Sequence, residues 1–235
     1  VYLVASFLAG KHLYRVLYLC AGLSAIVSIF AFSRIHIPVE KSTSKRRFIF
    51  KREYGVFYLL NILFGARKQI FLTFAPWVLV TVFHTTPNVM AALVMIASIA
   101  GVLFRQVFGI IVDRFGERKM FIADALILFC ICGGFAYSKN VYLLYFLFIM
   151  DNLMFSTRIA RTTYLNKIAK DRNDIPPTIS LGITMDHFFS MIVPVFGGIL
   201  WATFGYGKVF MAASAVAFIS LITAFVIRIP ERHQR

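Results

Sequence analysis

The chain has 235 residues, 60% of them hydrophobic and only 15% charged, with a mean hydropathy of +0.78 and a formal net charge of +15. That apolar content is more than the interior of one water-soluble domain of this length can hide, which excludes an ordinary soluble protein and points to a membrane-embedded one. The long unbroken apolar segments must satisfy their own backbone hydrogen bonds in lipid, so they read as helices; the ladder of about ten-residue alternating strands expected of an outer-membrane barrel does not occur.

In chain order, with roughly 20 apolar residues needed per crossing, residues 1–10 read as the stub of a span whose upstream part is missing. Val1 already sits in an apolar run, with no signal-peptide layout before it. Spans then follow near 12–33, 55–83, 88–112, 120–138, 140–166, 177–204 and 207–229, seven in all plus the stub. Pro38, Pro87, the turn at 109–119, the polar residues 138–140 and the stretch 174–177 punctuate the joins. Cys20, Cys130 and Cys132 lie inside apolar runs without metal-ligand spacing, so they read as packing residues. No cofactor or metal is expected.

The positive charge is not spread evenly. The connection after the first span carries Arg34, Lys41, Lys45, Arg46, Arg47, Lys51 and Arg52; the turns after the third and fifth spans carry Arg114, Arg118, Lys119, Lys167, Lys170 and Arg172. The tail adds Arg228, Arg232 and Arg235, whereas the alternate connections hold only Lys11 and Arg15, then Lys139, then Lys208. Every second connection is basic, the positive-inside pattern, which makes the long central loop and the C-terminus cytoplasmic. The basicity is therefore a topology signal, and nucleic acid is not an expected partner; lipid headgroups are.

The run Gly109, Asp113, Arg114, Phe115, Gly116, Glu117, Arg118 and Lys119 resembles the G-x-x-x-D-R-x-G-R-[RK] turn of the major facilitator superfamily. That family places the turn after the second span of each six-span half. Here a basic loop precedes it by two spans and four spans follow it, which matches the C-terminal half. The resemblance implies an all-α, major-facilitator-like bundle of about seven transmembrane helices plus the stub. Residues 1–33 would end the N-terminal half, 34–53 would form the central cytoplasmic loop, and 54–235 the C-terminal six-span half. It also implies a gate latch at Gly109, Asp113, Arg114, Gly116, Arg118 and Lys119, its partner lying in the missing N-terminal half of the same protein. Glu117 departs from the motif. Gly109 continues a stripe of small and polar residues (Ser98, Gly101, Arg105, Gly109, Asp113) at helical spacing, a face that lets a neighbouring helix come close.

Ionisable residues inside spans are costly and mark cavities or partners. Lys68 shares a face with Asn61, Gly65 and Thr73 and is expected in a cavity; Arg67, turned by about 100°, is expected against an adjacent helix. The alternative is that the membrane begins at Gln69 and leaves both at the interface. Asn61, Arg67, Lys68, Arg105 and Arg158 are the substrate-binding candidates. Asp151, Asp186 and His187 are the proton-coupling candidates, because a desolvated carboxylate or an imidazole can carry a proton. Interhelical pairing of Asp151 or Asp186 with Arg105 or Arg158 is the structural alternative. Asp124 is expected to partner the basic turn, and Arg158 and Arg161 also read as snorkelling cations. The stripe Thr178, Gly182, Asp186, Ser190, Pro194, Gly197 suits either close packing or a water-filled path.

No HExxH, GxSxG or phosphate-binding loop occurs, so neither an enzyme nor an ATP-driven pump is expected. The expected function is a secondary active transporter of a small solute working by alternating access, with proton-coupled uptake of an organic anion or phosphorylated solute favoured by the excess of intramembrane cations. A drug/proton exporter and a non-transporting membrane scaffold stand as alternatives. The expected location is the cell membrane, as a multi-pass protein of a bacterial inner membrane.

Overall fold

The computed structural model describes residues 13–34 and 50–227. The chain forms two compact units, Val1–Arg47 and Phe48–Arg235. The stub at 1–10, the loop cations Lys41, Lys45, Arg46 and Arg47, and the tail arginines Arg228, Arg232 and Arg235 fall outside the described residues.

The first unit contains helix α1 (Leu13–Ser33), which has no acidic residue in its first turn and no basic residue in its last. Its serine hydroxyls bond back to their own helix, Ser28 Oγ donating to the Ser24 carbonyl and Ser33 Oγ to that of Phe30, both at 2.8 Å. In an apolar solvent this internal pairing removes the cost of a bare hydroxyl.

The second unit is built from α2 (Gly55–Thr81), α3 (Pro87–Phe115), α4 (Glu117–Tyr137), α5 (Val141–Met154), α6 (Arg158–Ile168), α7 (Ile175–Phe204) and α8 (Tyr206–Val226). No strand occurs among the described residues. The helix ends follow local chemistry. Pro87 opens α3 at a position that needs no N–H donor. Gly116 and Gly205 take φ +80° and +82°, a backbone that side chains disfavour, so α3 turns into α4 and α7 into α8 with almost no linker. Asn140 caps α5, its Oδ1 accepting from the N–H groups of Tyr142 at 3.0 Å and Leu143 at 3.4 Å.

Five segments are long and apolar enough to cross a membrane: α3, α4, α5 with α6, α7 with the turn before it, and α8. Helix α2 has the length, at 27 residues, but Arg67, Lys68 and Gln69 interrupt its apolar sequence. The protein is thus a multi-pass membrane protein. The fifth expected span is not one continuous helix. A 3-10 turn, Phe155–Thr157, separates α5 from α6, and Thr157 Oγ1 takes the Met154 carbonyl at 2.9 Å. A hydroxyl competing for a backbone acceptor loosens an α-helix at that point.

Helix α2 packs on α7 and α8, α4 on α8 and α5, and α3 on α5. Two apolar clusters fill the interior. One includes Phe71, Phe74, Leu79, Leu128, Phe135, Leu144 and Phe210; the other includes Tyr54, Phe57, Phe108, Phe121, Tyr164 and Leu165. Along α2 the second cluster ends at Leu60 and the first begins at Ile70; along α4 the corresponding residues are Phe121 and Leu128. Arg67 and Lys68 of α2 and Asp124 of α4 fall in the gap. The fold therefore holds a polar layer between two apolar ones.

Close contacts set the α2–α7 seam. A Cβ at Gly65 would lie 2.6 Å from Asp186 Oδ1, and one at Gly182 would lie 2.7 Å from the Phe57 ring and 3.0 Å from Asn61 Nδ2. Of the stripe on α7, Thr178, Gly182, Asp186 and Ser190 are buried, so this face serves close packing. The stripe on α3 differs: nothing among the described residues lies within 4 Å of a Cβ built on Gly101 or Gly109.

At the end of the bundle where α2 begins, ion pairs tie the connections together. Lys51 and Tyr54 both bond to Asp174, Lys170 pairs with Glu53 at 2.9 Å, and Lys167 pairs with Glu117 at 2.7 Å. Burial and the hydrogen bond to Asp174 push the Tyr54 phenol up from its ordinary value.

Candidate functional site

Two adjacent residues of α2 divide the polar layer. Arg67 is 3% exposed and turns toward α4 and α5. Its Nη1 donates to both carboxylate oxygens of Asp124 at 2.9 Å, and its Nη2 lies 3.5 Å from Asp151 Oδ1. Lys68 points the other way, its Nζ donating to Asp186 Oδ1 on α7 at 2.6 Å. Ser190 Oγ, one turn further along α7, donates to the Gly65 carbonyl at 3.0 Å and reaches Asp186 Oδ1 at 3.3 Å. Each cation of α2 thus fastens it to a different neighbour, which follows from the roughly 100° between successive side chains on a helix.

Asp151 and Asp186 are both held in interhelical pairs, but with α2 rather than with Arg105 or Arg158. Asp124, read from the sequence as a partner for the basic turn, instead pairs with Arg67; the helix carries it past the turn and into the polar layer. Arg161, read as a snorkelling cation, is 4% exposed, with its guanidinium 3.5 Å from the centroid of the Phe64 ring. Arg67 and Lys68 lie 5.9 Å and 5.8 Å from the same centroid, so one ring face and its rim meet three cations. A cavity of about 30 Å3, room for a water or two, lies between Arg67, Arg161, Asp124, Thr157 and Ser220.

The larger space is on the Lys68 side. A cavity of ≈ 470 Å3 is lined by Lys68, Arg105, Arg158, Asp186 and His187, with Phe64, Phe155 and Ile159 as its apolar wall and Ser156 and Thr162 supplying hydroxyls. A rise of roughly 1.5 Å per residue puts the five ionisable groups about 15–20 Å from the helix ends on the Gly55 side. They converge at one depth near mid-span from four elements: α2, α3, the start of α6, and α7. The volume suits a small solute, and such mixtures of apolar wall and few polar groups are what ligand pockets present. Among the described residues no three His, Cys, Asp or Glu side chains cluster as metal ligands would.

The remaining candidates lie elsewhere. Asn61 is buried, donates to the Phe57 carbonyl at 2.8 Å and borders Gly182, outside the cavity lining. Arg67 and Asp151 sit behind the cavity in the Asp124 cluster. In the turn at 109–119, Arg118 Nη2 donates to the Phe225 carbonyl at the end of α8 at 3.0 Å, and the Arg114 guanidinium lies 5.8 Å from the Phe115 centroid. Asp113 is exposed and has no polar partner among the described residues. Glu117, the departure from the motif, is 1% exposed and makes the ion pair with Lys167. The sequence signal that would have found Asp124 and Arg161 is depth: each lies seven residues, about 10 Å, inside its helix end on the Gly55 side, two turns beyond the connection it was assigned to.

Residues 57–235 match the family described as the Major Facilitator Superfamily. The chain is also 26% identical over 132 residues to the Multi-drug resistance efflux pump PmrA of Streptococcus pneumoniae, in both serotype 4 strain TIGR4 and strain R6. Each match covers 55% of this chain and 32% of the relative. The chain thus spans about a third of the length of these curated relatives.

Proposed function

Because the chain belongs to the Major Facilitator Superfamily, whose members are transporters and not enzymes, we propose that residues 54–235 form the C-terminal six-span half of a secondary active transporter. In this reading residues 1–33 end the N-terminal half, 34–53 form the cytoplasmic central loop, and the rest of a longer polypeptide supplies the other half. The α3 stripe with Gly101 and Gly109, and Asp113, which have no cover or polar partner among the described residues, suit a seam against that half. The alternation of basic loops supports a cytoplasmic C-terminus, and the two bacterial relatives support a bacterial cell membrane.

The observation that carries the substrate reading is the mid-span cavity with Lys68, Arg105, Arg158 and His187 around Asp186. Cations exceed carboxylates there, so the solute is a small organic anion. An arriving anion competes with Asp186 for Lys68. The carboxylate it displaces is left at membrane depth without its 2.6 Å partner, where protonation lowers its desolvation cost. Anion and proton then move together as the two halves rock about the site. Export of drugs against protons is the second reading, supported by the name of the two relatives.

The test is uptake of labelled organic anions into proteoliposomes by the full-length protein, with and without an inward proton gradient. Anion accumulation that Lys68→Ala abolishes and Asp186→Asn uncouples from the gradient is the expected result. Uptake indifferent to both substitutions makes these charges structural. Transport restricted to lipophilic cations establishes the export reading, and no transport of either class leaves a membrane scaffold.

A further inference from the structure

Charge accounting across the polar layer goes further than the sign of the solute. Lys68 and Asp186 neutralise each other at 2.6 Å. Behind them Arg67 faces two carboxylates, Asp124 and Asp151, and Arg161, buried beside the same small cavity as Arg67 and Asp124, restores the balance of that group. Arg161 makes no ion pair among the described residues, and its Nε is buried without a hydrogen-bond partner; it is held by the Phe64 ring, so it is not free to serve the cavity. Two cations against two carboxylates leave this inner group neutral.

What remains on the cavity wall is Arg105 from α3 and Arg158 from the start of α6. Among the described residues neither guanidinium has a carboxylate partner or a hydrogen bond, and both are exposed to the same ≈ 470 Å3 space. Both lie about 15 Å of helix from Phe115 and Ile168, the ends of their elements on one side of the bundle. A guanidinium stays protonated in any protein environment, so two of them at membrane depth demand two negative charges. The planar fork of each accepts a carboxylate or a phosphate through paired N–H donors. Ser156 and Thr162 on the same wall add hydroxyl partners.

Resting on the anion reading above, we propose that the cavity takes a small dianion, a phosphate monoester or a dicarboxylate, whose two charges are met by Arg105 and Arg158. The Lys68–Asp186 pair starts neutral and brings no charge of its own before the anion draws Lys68 from Asp186, and Phe64, Phe155 and Ile159 receive the carbon skeleton.

The experiment is equilibrium binding by calorimetry to the purified full-length protein with two matched pairs of probes. Phenyl phosphate and phenyl methyl phosphate differ by one negative charge on one skeleton; succinate and butyrate do the same for carboxylates. At least one dianion binds about tenfold or more tightly than its monoanionic partner, a difference of about 1.4 kcal/mol, and which pair shows the preference separates a phosphate ester from a dicarboxylate. Arg105→Gln and Arg158→Gln each abolish that preference, weakening the dianion at least about tenfold more than its monoanionic partner, and Arg105→Lys retains most of it. A merely structural role for these arginines would instead weaken all probes alike and lower the melting temperature of the unliganded protein. Equal binding of both members in both pairs, as when the arginines are neutralised from elsewhere in the full-length protein, overturns the dianion inference and leaves the anion reading standing. Binding of none of the four overturns both.

Discussion

Replacing Arg67 tests the polar layer most directly. Its guanidinium holds Asp124 through two hydrogen bonds of 2.9 Å and Asp151 at 3.5 Å. Arg67→Met leaves two carboxylates facing Arg161 alone, one uncompensated negative charge in the bundle. Asp124→Leu leaves Arg67 and Arg161 facing Asp151, one uncompensated positive charge. Breaking one side of a buried pair costs about 3–5 kcal/mol, whereas replacing both partners by apolar residues of similar volume is close to neutral. The double substitution leaves one cation, Arg161, and one carboxylate, Asp151, in the layer and so keeps its net charge. It is therefore expected to be more stable than either single variant, with an interaction free energy of at least about 3 kcal/mol. Reversible unfolding in mixed micelles, titrated with dodecyl sulfate and followed by helical circular dichroism, measures all four corners of the cycle. Single variants within about 1 kcal/mol of the parent, the value typical of a solvated surface pair, or a double variant whose loss is the sum of the two, would refute the charge-balance argument.

Gly65→Ala places a methyl 2.6 Å from Asp186 Oδ1, forcing α2 and α7 apart; it is expected to destabilise by about 1–3 kcal/mol in the same assay, and Gly133→Ala, which meets nothing within 4 Å among the described residues, serves as the neutral control. The Lys167–Glu117 pair is asymmetric, since the lysine side chain is 43% exposed and the glutamate 1%. Lys167→Met strands a buried carboxylate and is expected to cost about 1–3 kcal/mol, whereas Glu117→Gln leaves a lysine that water solvates and is expected to cost less than about 1 kcal/mol; equal losses would contradict the burial of Glu117.

Much of this architecture is written locally. Segment length and hydropathy place the helices, and Pro87, Gly116, Asn140 and Gly205 end or begin them within a few residues of the expected limits, because each acts on its own backbone. The roughly 100° step of a helix was enough to separate Arg67 from Lys68. The 3-10 break at Phe155–Thr157 was not legible, since serine and threonine within an apolar span bond back to their own helix with or without a break, as Ser28 and Thr203 do in unbroken helices.

The amino-acid sequence by itself determined the membrane class, the run of helices, the alternation of basic connections and the family motif, all properties of residues near one another along the chain. Only the tertiary structure decided which charges meet. Arg67 is 57 residues from Asp124, and Lys68 is 118 residues from Asp186. Neither pairing follows from spacing, because a helix periodicity fixes the face a side chain occupies but not the helix that comes to lie against that face. The inner charge group, and the cavity onto which Arg105 and Arg158 open without a carboxylate partner among the described residues, exist only once α2 is packed against α4 and α5 on one side and α7 on the other.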